Sequence, residues 1–205
     1  LIRYPDISII GEQKIRIQHN LIGLEGCTTD SIRKVFSHPQ GFAQCREYLE
    51  AHADWELIPY YDTAGAVAHV AREGSRELAA IAGDQAAHAY GLEILKRGIE
   101  TNPRNYTRFF VIARSERARP DHPNTASLVF STLDKPGSLF SCLEVFEEHR
   151  LNMKKLESRP IAGRPWEYLF YVDIEFKESQ KEFDDALDQL KDRTDRLRVL
   201  GRYCI

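Results

Sequence analysis

The chain has 205 residues, enough for two domains of ordinary size or one large one. Its residues are 42% hydrophobic and 29% charged with a formal net charge of -3, which is typical of a soluble globular protein and argues against nucleic acid as a partner. No apolar run approaches the roughly 18 residues of a membrane span and no signal peptide pattern opens the chain, so we expect a cytoplasmic protein with no membrane partner.

In the first 114 residues, short apolar runs alternate with amphipathic segments, which predicts an α/β domain. Strands are predicted at 7–10, 14–24, 34–37, 55–60, 78–82 and 107–113, and helices begin near Pro39, Asp62 and Asp84. Pro39 suits a first helical turn, and Phe42, Cys45, Leu49 and His52 recur on one face of a single helix.

The stretch 114–124 is charged, contains two prolines and lacks an apolar period, which indicates a linker. We therefore expect one domain at 1–114, a linker at 115–124 and a second domain at 125–205. Strand and helix patterns then follow in the order βαββαβ, predicting a ferredoxin-like α+β sheet with two helices on one face. These elements cover 125–132, 137–149, 152–161, 168–176, 183–190 and 197–203.

The four cysteines are scattered and form no C-x-x-C pair, so neither a disulfide framework nor a metal site is expected. The only methionine is Met153, and we expect either that sequence precedes Leu1 in the gene product or that processing has removed it. No Ser-His-Asp arrangement, metal-ligand cluster or phosphate-binding glycine loop stands out in the sequence.

Two predicted strand-to-helix turns are candidate anion sites. In the first, Ser37 and His38 precede a helix and Gln44 lies about one turn further on. In the second, Asp62 and Thr63 precede small residues that let a ligand approach the backbone, and two such turns would suit a dicarboxylate. The alternative in both cases is an ordinary helix cap.

A third candidate site opens the strand at 107–113. The hydroxyl of Thr107 and the guanidinium of Arg108 together could hold a carboxylate, with Phe109 beside them. The alternative, which the sequence supports equally well, is that Thr107 is an ordinary strand residue and Arg108 a surface ion-pair residue.

The second domain offers a helix entry at Gly137, Ser138, Leu139 and Phe140, where glycine leaves room for a small ligand. Glu157, Ser158, Arg159 and Pro160 end its second strand. A plain helix entry and a surface Glu-Arg pair are the alternatives.

Taken in order, these motifs resemble the C-terminal two-thirds of the prephenate dehydratase family. The resemblance rests on Ser37-His38-Pro39-Gln40 with Gln44-Cys45, Asp62-Thr63-Ala64, Tyr106-Thr107-Arg108-Phe109, Gly137-Ser138-Leu139-Phe140 and Glu157-Ser158-Arg159-Pro160. It implies a periplasmic-binding-protein-like dehydratase lobe followed by an ACT regulatory domain. The family's first dehydratase lobe, with a Glu-Asn pair, has no counterpart in these residues, so we expect the 205-residue chain alone to have little activity.

The resemblance further implies conversion of prephenate to phenylpyruvate in phenylalanine biosynthesis, without metal or organic cofactor. It assigns catalytic roles to Thr107, Ser37 and Gln44, and substrate contacts to His38, Thr63, Arg108 and Phe109. Phenylalanine, the effector, would bind between subunits of a homodimer or homotetramer, at residues 137–140 and 157–160.

Three alternatives stay open at this point. The chain could be a phenylalanine-sensing fragment without chemistry, or an arogenate dehydratase, whose substrate differs by an amino group in place of a keto group. A chorismate mutase domain could also lie upstream, as in fused bacterial enzymes of this kind.

Overall fold

The computed structural model describes residues 1–114, 121–176 and 180–205. Residues 115–120, most of the predicted linker, lie outside the described part. Within the described ranges, no helix is both long and apolar enough to span a bilayer. The strands are β1 (Ile7–Arg16), β2 (Asn20–Gly23), β3 (Lys34–Ser37), β4 (Glu56–Pro59), β5 (Leu78–Ala82), β6 (Glu93–Lys96), β7 (Tyr106–Arg114), β8 (Thr125–Ser131), β9 (Asn152–Ile161), β10 (Arg164–Glu175) and β11 (Arg196–Tyr203).

The helices are α1 (Pro39–Gln44), α2 (Arg46–Glu50), α3 (Thr63–Glu73), α4 (Asp84–Tyr90), α5 (Ser138–Glu148) and α6 (Gln180–Arg193), with a short 3-10 turn at Thr29–Ser31. The chain divides into two compact units. The central unit is Ile15–Thr107, and the terminal unit combines Leu1–Lys14 with Arg108–Ile205. This division falls within β1 and β7, which form a two-stranded sheet, whereas the predicted domain boundary follows Arg114.

The central unit has a five-stranded mixed sheet in the order β4-β3-β5-β2-β6, so the predicted α/β character is confirmed. β3 runs parallel to β4 and β5, while β2 runs antiparallel to β5 and β6. Side chains alternate between the two faces of each strand. Val35 packs in the core with Cys45 and Leu49, and the next residue, Phe36, packs in the core of α3 on the other face.

Two sequence predictions in this unit were wrong in detail. The strand predicted at 14–24 is divided between β1 and β2. The helix predicted from Pro39 to His52 is broken at Cys45, whose φ of -111° and ψ of 22° are not helical. The apolar spacing still runs through the break because both short helices lie on the same core.

The terminal unit contains a four-stranded antiparallel sheet in the order β11-β8-β10-β9. With α5 between β8 and β9 and α6 between β10 and β11, its element order is βαββαβ. One sheet face and both helices share an apolar core that includes Leu128, Phe130, Ile174, Phe183 and Leu190.

The opposite face of this sheet packs against strand β1. Ile9 joins Val129, Leu200 and Tyr203 in a second small core. The fit at this contact is close, because a Cβ at Gly201 would lie 2.1 Å from the carbonyl oxygen of Ile9. Glycine is therefore required at position 201 because β1 approaches closely there, and not because of the backbone φ of that residue.

We predict that Gly201→Ala destabilises the protein by about 1–3 kcal/mol, since backbone rather than a flexible side chain must move. The expected fall in Tm is roughly 3–10 °C by calorimetry. Gly11→Ala is the matched control, because its Cβ would meet Val111 at an ordinary 3.6 Å. Equal Tm values for the two variants would contradict this account.

Candidate functional site

Polar residues of the central unit gather at one edge of its sheet. The parallel strands β3, β4 and β5 all end at this edge, and β2, which is antiparallel to β5, begins there. The edge therefore receives Ser37 from the end of β3, Asn20 from the start of β2 and Thr63 from the turn after β4. The carboxyl ends of such strands are where α/β folds place ligands.

Ser37 is fully buried at this edge, and its hydroxyl donates to the carbonyl oxygen of Ile81 at 2.8 Å. Gly41 of α1 packs directly on it, because a Cβ there would lie 2.4 Å from Ser37 Oγ and 3.7 Å from Thr63 Cγ2. The structure thus brings together Ser37 and Thr63, two of the predicted site residues.

Both predicted anion sites at helix starts carry their own caps. Nδ1 of His38 accepts a hydrogen bond from Gln40 N at 3.1 Å, and Asp62 Oδ1 accepts from Gly65 N at 2.5 Å. The capping alternative holds at both turns. A carboxylate cap also disfavours an anion at the start of α3.

Gln44 has a partner that the sequence analysis missed. Nε2 of His19 lies 2.6 Å from Oε1 of Gln44, and the backbone of Gln44 accepts from Thr101 N at 2.8 Å. By donating to Oε1, His19 holds the amide oxygen of Gln44 towards its own ring, so the NH₂ group of Gln44 is directed away from His19. His19 falls inside the single strand predicted at 14–24, although the apolar pair Leu21-Ile22 that follows it could have indicated a separate strand.

Two buried polar atoms at this edge lack a hydrogen-bond partner among the described residues, Nδ1 of His19 and Nδ2 of Asn20. The other amide atom of Asn20, Oδ1, accepts from Gly98 N at 3.1 Å, which holds the side chain in place. Buried polar atoms without partners are rare in folded proteins and mark places where a ligand or water is expected.

Glu100 is a buried carboxylate behind this edge. It accepts from the backbone of His19 at 3.0 Å and from Arg16 at 3.4 Å. Burial, and secondly the negative charge of Glu100, raises the pKa of the Cys45 thiol from 9.0 to about 12. Cys45 is thus a protonated core residue at neutral pH and not a nucleophile.

A cavity of about 310 Å³ opens beside Gln44 and is lined also by Ala43, Thr101, Asn102 and Asn105. Thr107 lies two residues after Asn105, near the start of β7, and is half-buried. Phe109, on the same side of the strand by alternation, is exposed.

Arg108 was expected to hold a substrate carboxylate, but in the structure its guanidinium has protein partners. In the terminal unit its guanidinium contacts Glu12 at 2.5 Å, a carboxylate oxygen of Asp173, and the Tyr203 hydroxyl at 3.0 Å. The guanidinium also lies 4.4 Å from the ring centre of Phe110.

The terminal unit holds a second cavity, of about 440 Å³, at the start of α5. Gly137, Ser138, Leu139 and Phe140 line it together with residues from β10, among them Trp166, Tyr168 and Phe170. Gly137 has a φ of 81°, and a Cβ there would meet nothing within 4 Å, so its role is conformational.

The other predicted effector motif does not reach this cavity within one chain. Glu157 lies on β9, where it accepts from Arg159 Nε at 2.7 Å and contacts Lys155 at 2.7 Å. Hydrogen bonds from Lys155 and Arg159 lower the pKa of Glu157. Pro160 lines a different cavity, of about 620 Å³, beside Tyr171 and Leu169.

The sequence profile of the prephenate dehydratase family matches residues 1–117, more than half of the chain. The chain belongs to the prephenate dehydratase family. The bifunctional chorismate mutase/prephenate dehydratase of Escherichia coli (strain K12) is 37% identical over 205 residues, covering 99% of this chain and 53% of that protein. The chain thus spans about half the length of the curated relatives it matches.

Solved structures agree with this membership in the prephenate dehydratase family. The prephenate dehydratase of Arthrobacter aurescens in complex with L-Phe superposes with a TM-score of 0.86 at 27% identity, over 98% of this chain and 67% of that one. GqqA, described as a novel type of quorum quenching acylase, gives a TM-score of 0.84 at 31% identity, over 97% and 72% of the two chains.

The raised pKa of Cys45 predicts that this thiol resists labelling by a thiol reagent at pH 8, whereas the exposed Cys204 reacts. Because the pKa of Cys45 in the folded protein lies above its ordinary value of 9.0, the contribution of the protonated thiol to stability is complete below pH 9 and is lost as the pH rises towards 12. Cys204→Ser is the control and should leave the folded protein unlabelled. Rapid labelling of Cys45 before unfolding would refute the prediction.

Proposed function

We propose that the central unit is a lobe of a prephenate dehydratase, of the periplasmic-binding-protein-like kind, and that its sheet edge forms one wall of the active site. The observation that carries this proposal is the gathering of Ser37, Thr63 and Gln44 at one edge of the sheet, with Gln44 held by His19. This sheet lies within the residues that the prephenate dehydratase profile matches. Unpartnered Nδ2 of Asn20 adds a further donor there.

The proposed reaction needs little covalent chemistry from the protein. As the ring carboxylate leaves as CO₂, its C–C electron pair enters the ring, and the C–O bond breaks to release hydroxide, which becomes water on taking a proton. Aromatisation drives the step. The protein's task is to orient the substrate and stabilise charge developing on the departing oxygen.

Thr107 is the proposed donor to that departing oxygen. A threonine hydroxyl is a poor acid, so it stabilises the leaving group by hydrogen bonding while water delivers the proton. The NH₂ group of Gln44, oriented by His19, is a donor for a substrate oxygen. Ser37 then acts mainly by holding Gly41 and Thr63 in position, since its own hydroxyl donates to Ile81.

The likeness to GqqA raises acylase activity as a competing function. Hydrolysis through a covalent intermediate needs an activated nucleophile. At this edge, the Ser37 hydroxyl is buried and donates to a backbone carbonyl, and the Cys45 thiol is protonated. The geometry therefore favours the dehydratase. Arogenate, which differs by an amino group, is distinguished by comparing the two substrates directly.

We predict that Thr107→Ala lowers kcat for prephenate by roughly 10²–10³-fold in the full-length product of the gene that encodes this chain, since one donor to the developing charge is lost. Thr107→Ser, which keeps the hydroxyl, should restore part of the rate. Steady-state turnover to phenylpyruvate is the measurement.

Thr28→Ala serves as the matched control, because Thr28 is an exposed threonine of the same unit in the loop between the end of β2 and the start of β3, at the opposite end of these strands from the proposed site. Phenylalanine binding should be unchanged in all three variants. Full turnover by Thr107→Ala would show that the chemistry does not depend on this hydroxyl.

We propose further that the βαββαβ part of the terminal unit is an ACT-type domain that binds L-phenylalanine in the 440 Å³ cavity. The cavity offers the aromatic rings of Phe140, Tyr168 and Phe170 for a phenyl side chain, and the open backbone of Gly137 for the amino acid group. A relative of the same fold was solved with L-Phe bound.

A second copy of the chain completes the proposed effector site. β9 is an edge strand of its sheet, and its exposed side chains include Met153 and Leu156. Unpaired edges with apolar side chains are available for pairing with another chain. Pairing would bring Glu157 and Arg159 of one copy towards the cavity of its partner, which explains their distance from it within one chain. We therefore propose a homodimer or a dimer of dimers.

Phenylalanine binding is predicted to shift the fluorescence of Trp166 to shorter wavelength. Trp166 lines the cavity and is 81% exposed, so a ligand beside it excludes water from the indole. The other tryptophan, Trp55, is buried in the core of the central unit and serves as an internal reference. A titration of the 205-residue chain with L-phenylalanine measures the shift.

Trp166→Phe should abolish the shift while calorimetry still detects binding, because the aromatic wall of the cavity is kept. A shift that persists in this variant, or no response of the wild type to phenylalanine, would count against the assignment of the cavity.

A further inference from the structure

Four strands of the terminal unit place side chains around one guanidinium, which a fifth strand supplies, and we call this group the Arg108 cluster. Glu12 comes from β1, Arg108 from β7, Ser127 from β8, Asp173 from β10 and Tyr203 from β11. Ser127 Oγ donates to Asp173 Oδ1 at 2.5 Å and lies 2.9 Å from the Tyr203 hydroxyl. The cluster is thus a connected network and not a single ion pair.

The charges of this cluster constrain Arg108 strongly. The side chains of Glu12 and Asp173 are 3% and 7% exposed, so each carboxylate depends on the guanidinium, and for Glu12 also on Lys14 at 3.0 Å. Burial by itself would lower the pKa of Arg108, but its hydrogen bonds with Asp173 and Glu12 outweigh burial and raise it. Releasing Arg108 to a substrate would leave two buried carboxylates poorly compensated.

The chain connects the cluster to two features with proposed roles. Arg108 is joined by a peptide bond to Thr107, so the position of its side chain restrains the start of β7. Asp173 lies on β10, three residues beyond Phe170, which lines the cavity at Gly137. β10 pairs with β8 with Asp173 opposite Ser127, both members of the cluster. A continuous strand therefore connects the cavity wall to the guanidinium.

We infer that Arg108 is a positioning residue that transmits occupancy of the phenylalanine cavity to the strand carrying Thr107. The inference rests on the proposed function, because it takes the cavity as the effector site and Thr107 as the catalytic donor. A ligand against Tyr168 and Phe170 shifts β10, Asp173 moves with it, and the guanidinium carries the displacement to β7. A packed polar network couples two sites only if one structural element responds to both of them, here the phenylalanine cavity and the strand that carries Thr107.

Hydrogen exchange of β7 tests the coupling in the 205-residue chain, without any need for turnover. Peptides covering 106–112 are followed by mass spectrometry with and without L-phenylalanine. In the wild type, phenylalanine should slow exchange in these peptides by roughly tenfold, as expected when local opening is suppressed. In Asp173→Asn, which keeps the shape but removes the charge, the ratio should fall to about one while the affinity for phenylalanine stays within about twofold.

Asp188→Asn is the matched control. It removes a carboxylate from an exposed ion pair with Lys191 on α6 and should leave the tenfold effect intact. Arg108→Lys is the second variant, since lysine keeps the charge but cannot bond Glu12, Asp173 and Tyr203 together. This variant should also lose the slowing of β7 exchange by phenylalanine. It keeps the test decisive if Asp173→Asn does not fold.

The outcomes separate this inference from the proposed function. If calorimetry shows no phenylalanine binding to the wild type, both the sensing function and the coupling are overturned. If phenylalanine binds but exchange at 106–112 does not change, or changes equally in Asp173→Asn and Arg108→Lys, only the coupling is overturned. Loss of the effect in both variants with binding retained supports it.

Discussion

The constraint on which much of this molecule depends is the burial of two carboxylates, Glu12 and Asp173, around a single guanidinium. Because unpaired buried charge is costly, Arg108 must face the sheet of the terminal unit. Side chains alternate along β7, so Thr107 and Phe109 are directed to the opposite face of the strand. One electrostatic requirement thereby decides which side of β7 each residue of the Thr-Arg-Phe motif faces.

The central unit shows how a small set of polar residues is held at a sheet edge by packing. Gly41 fits against Ser37 only because it lacks a Cβ, and the hydroxyl of Ser37 is itself anchored to the neighbouring strand. His19 orients Gln44, while the backbone of His19 is held in turn by Glu100. The residues expected to do chemistry are therefore supported by others whose roles are positional, and a preorganised edge of this kind is what charge stabilisation requires.

The sequence predicted this architecture well where apolar periodicity was regular. The βαββαβ order and the inward face of α5 and α6 follow from spacing alone, because one side of each element must be buried. Periodicity could not show the break at Cys45, since both short helices lie on the same core. It also could not show the partners of Arg108, which come from three other strands, or that His19 contacts Gln44 from 25 positions away in the chain. Capping by His38 and Asp62 was predicted beside the anion-site interpretation, because a cap and an anion site use the same residue types.

A crystal structure of the 205-residue chain with L-phenylalanine tests the central claim most directly, namely that this chain combines a dehydratase lobe with a phenylalanine-sensing module. The account predicts phenylalanine in the cavity at Gly137, with its ring against Phe140 and Phe170 and with the 157–160 segment of a second copy closing the site. Phenylalanine bound elsewhere, or held in that cavity by one copy alone, would contradict it.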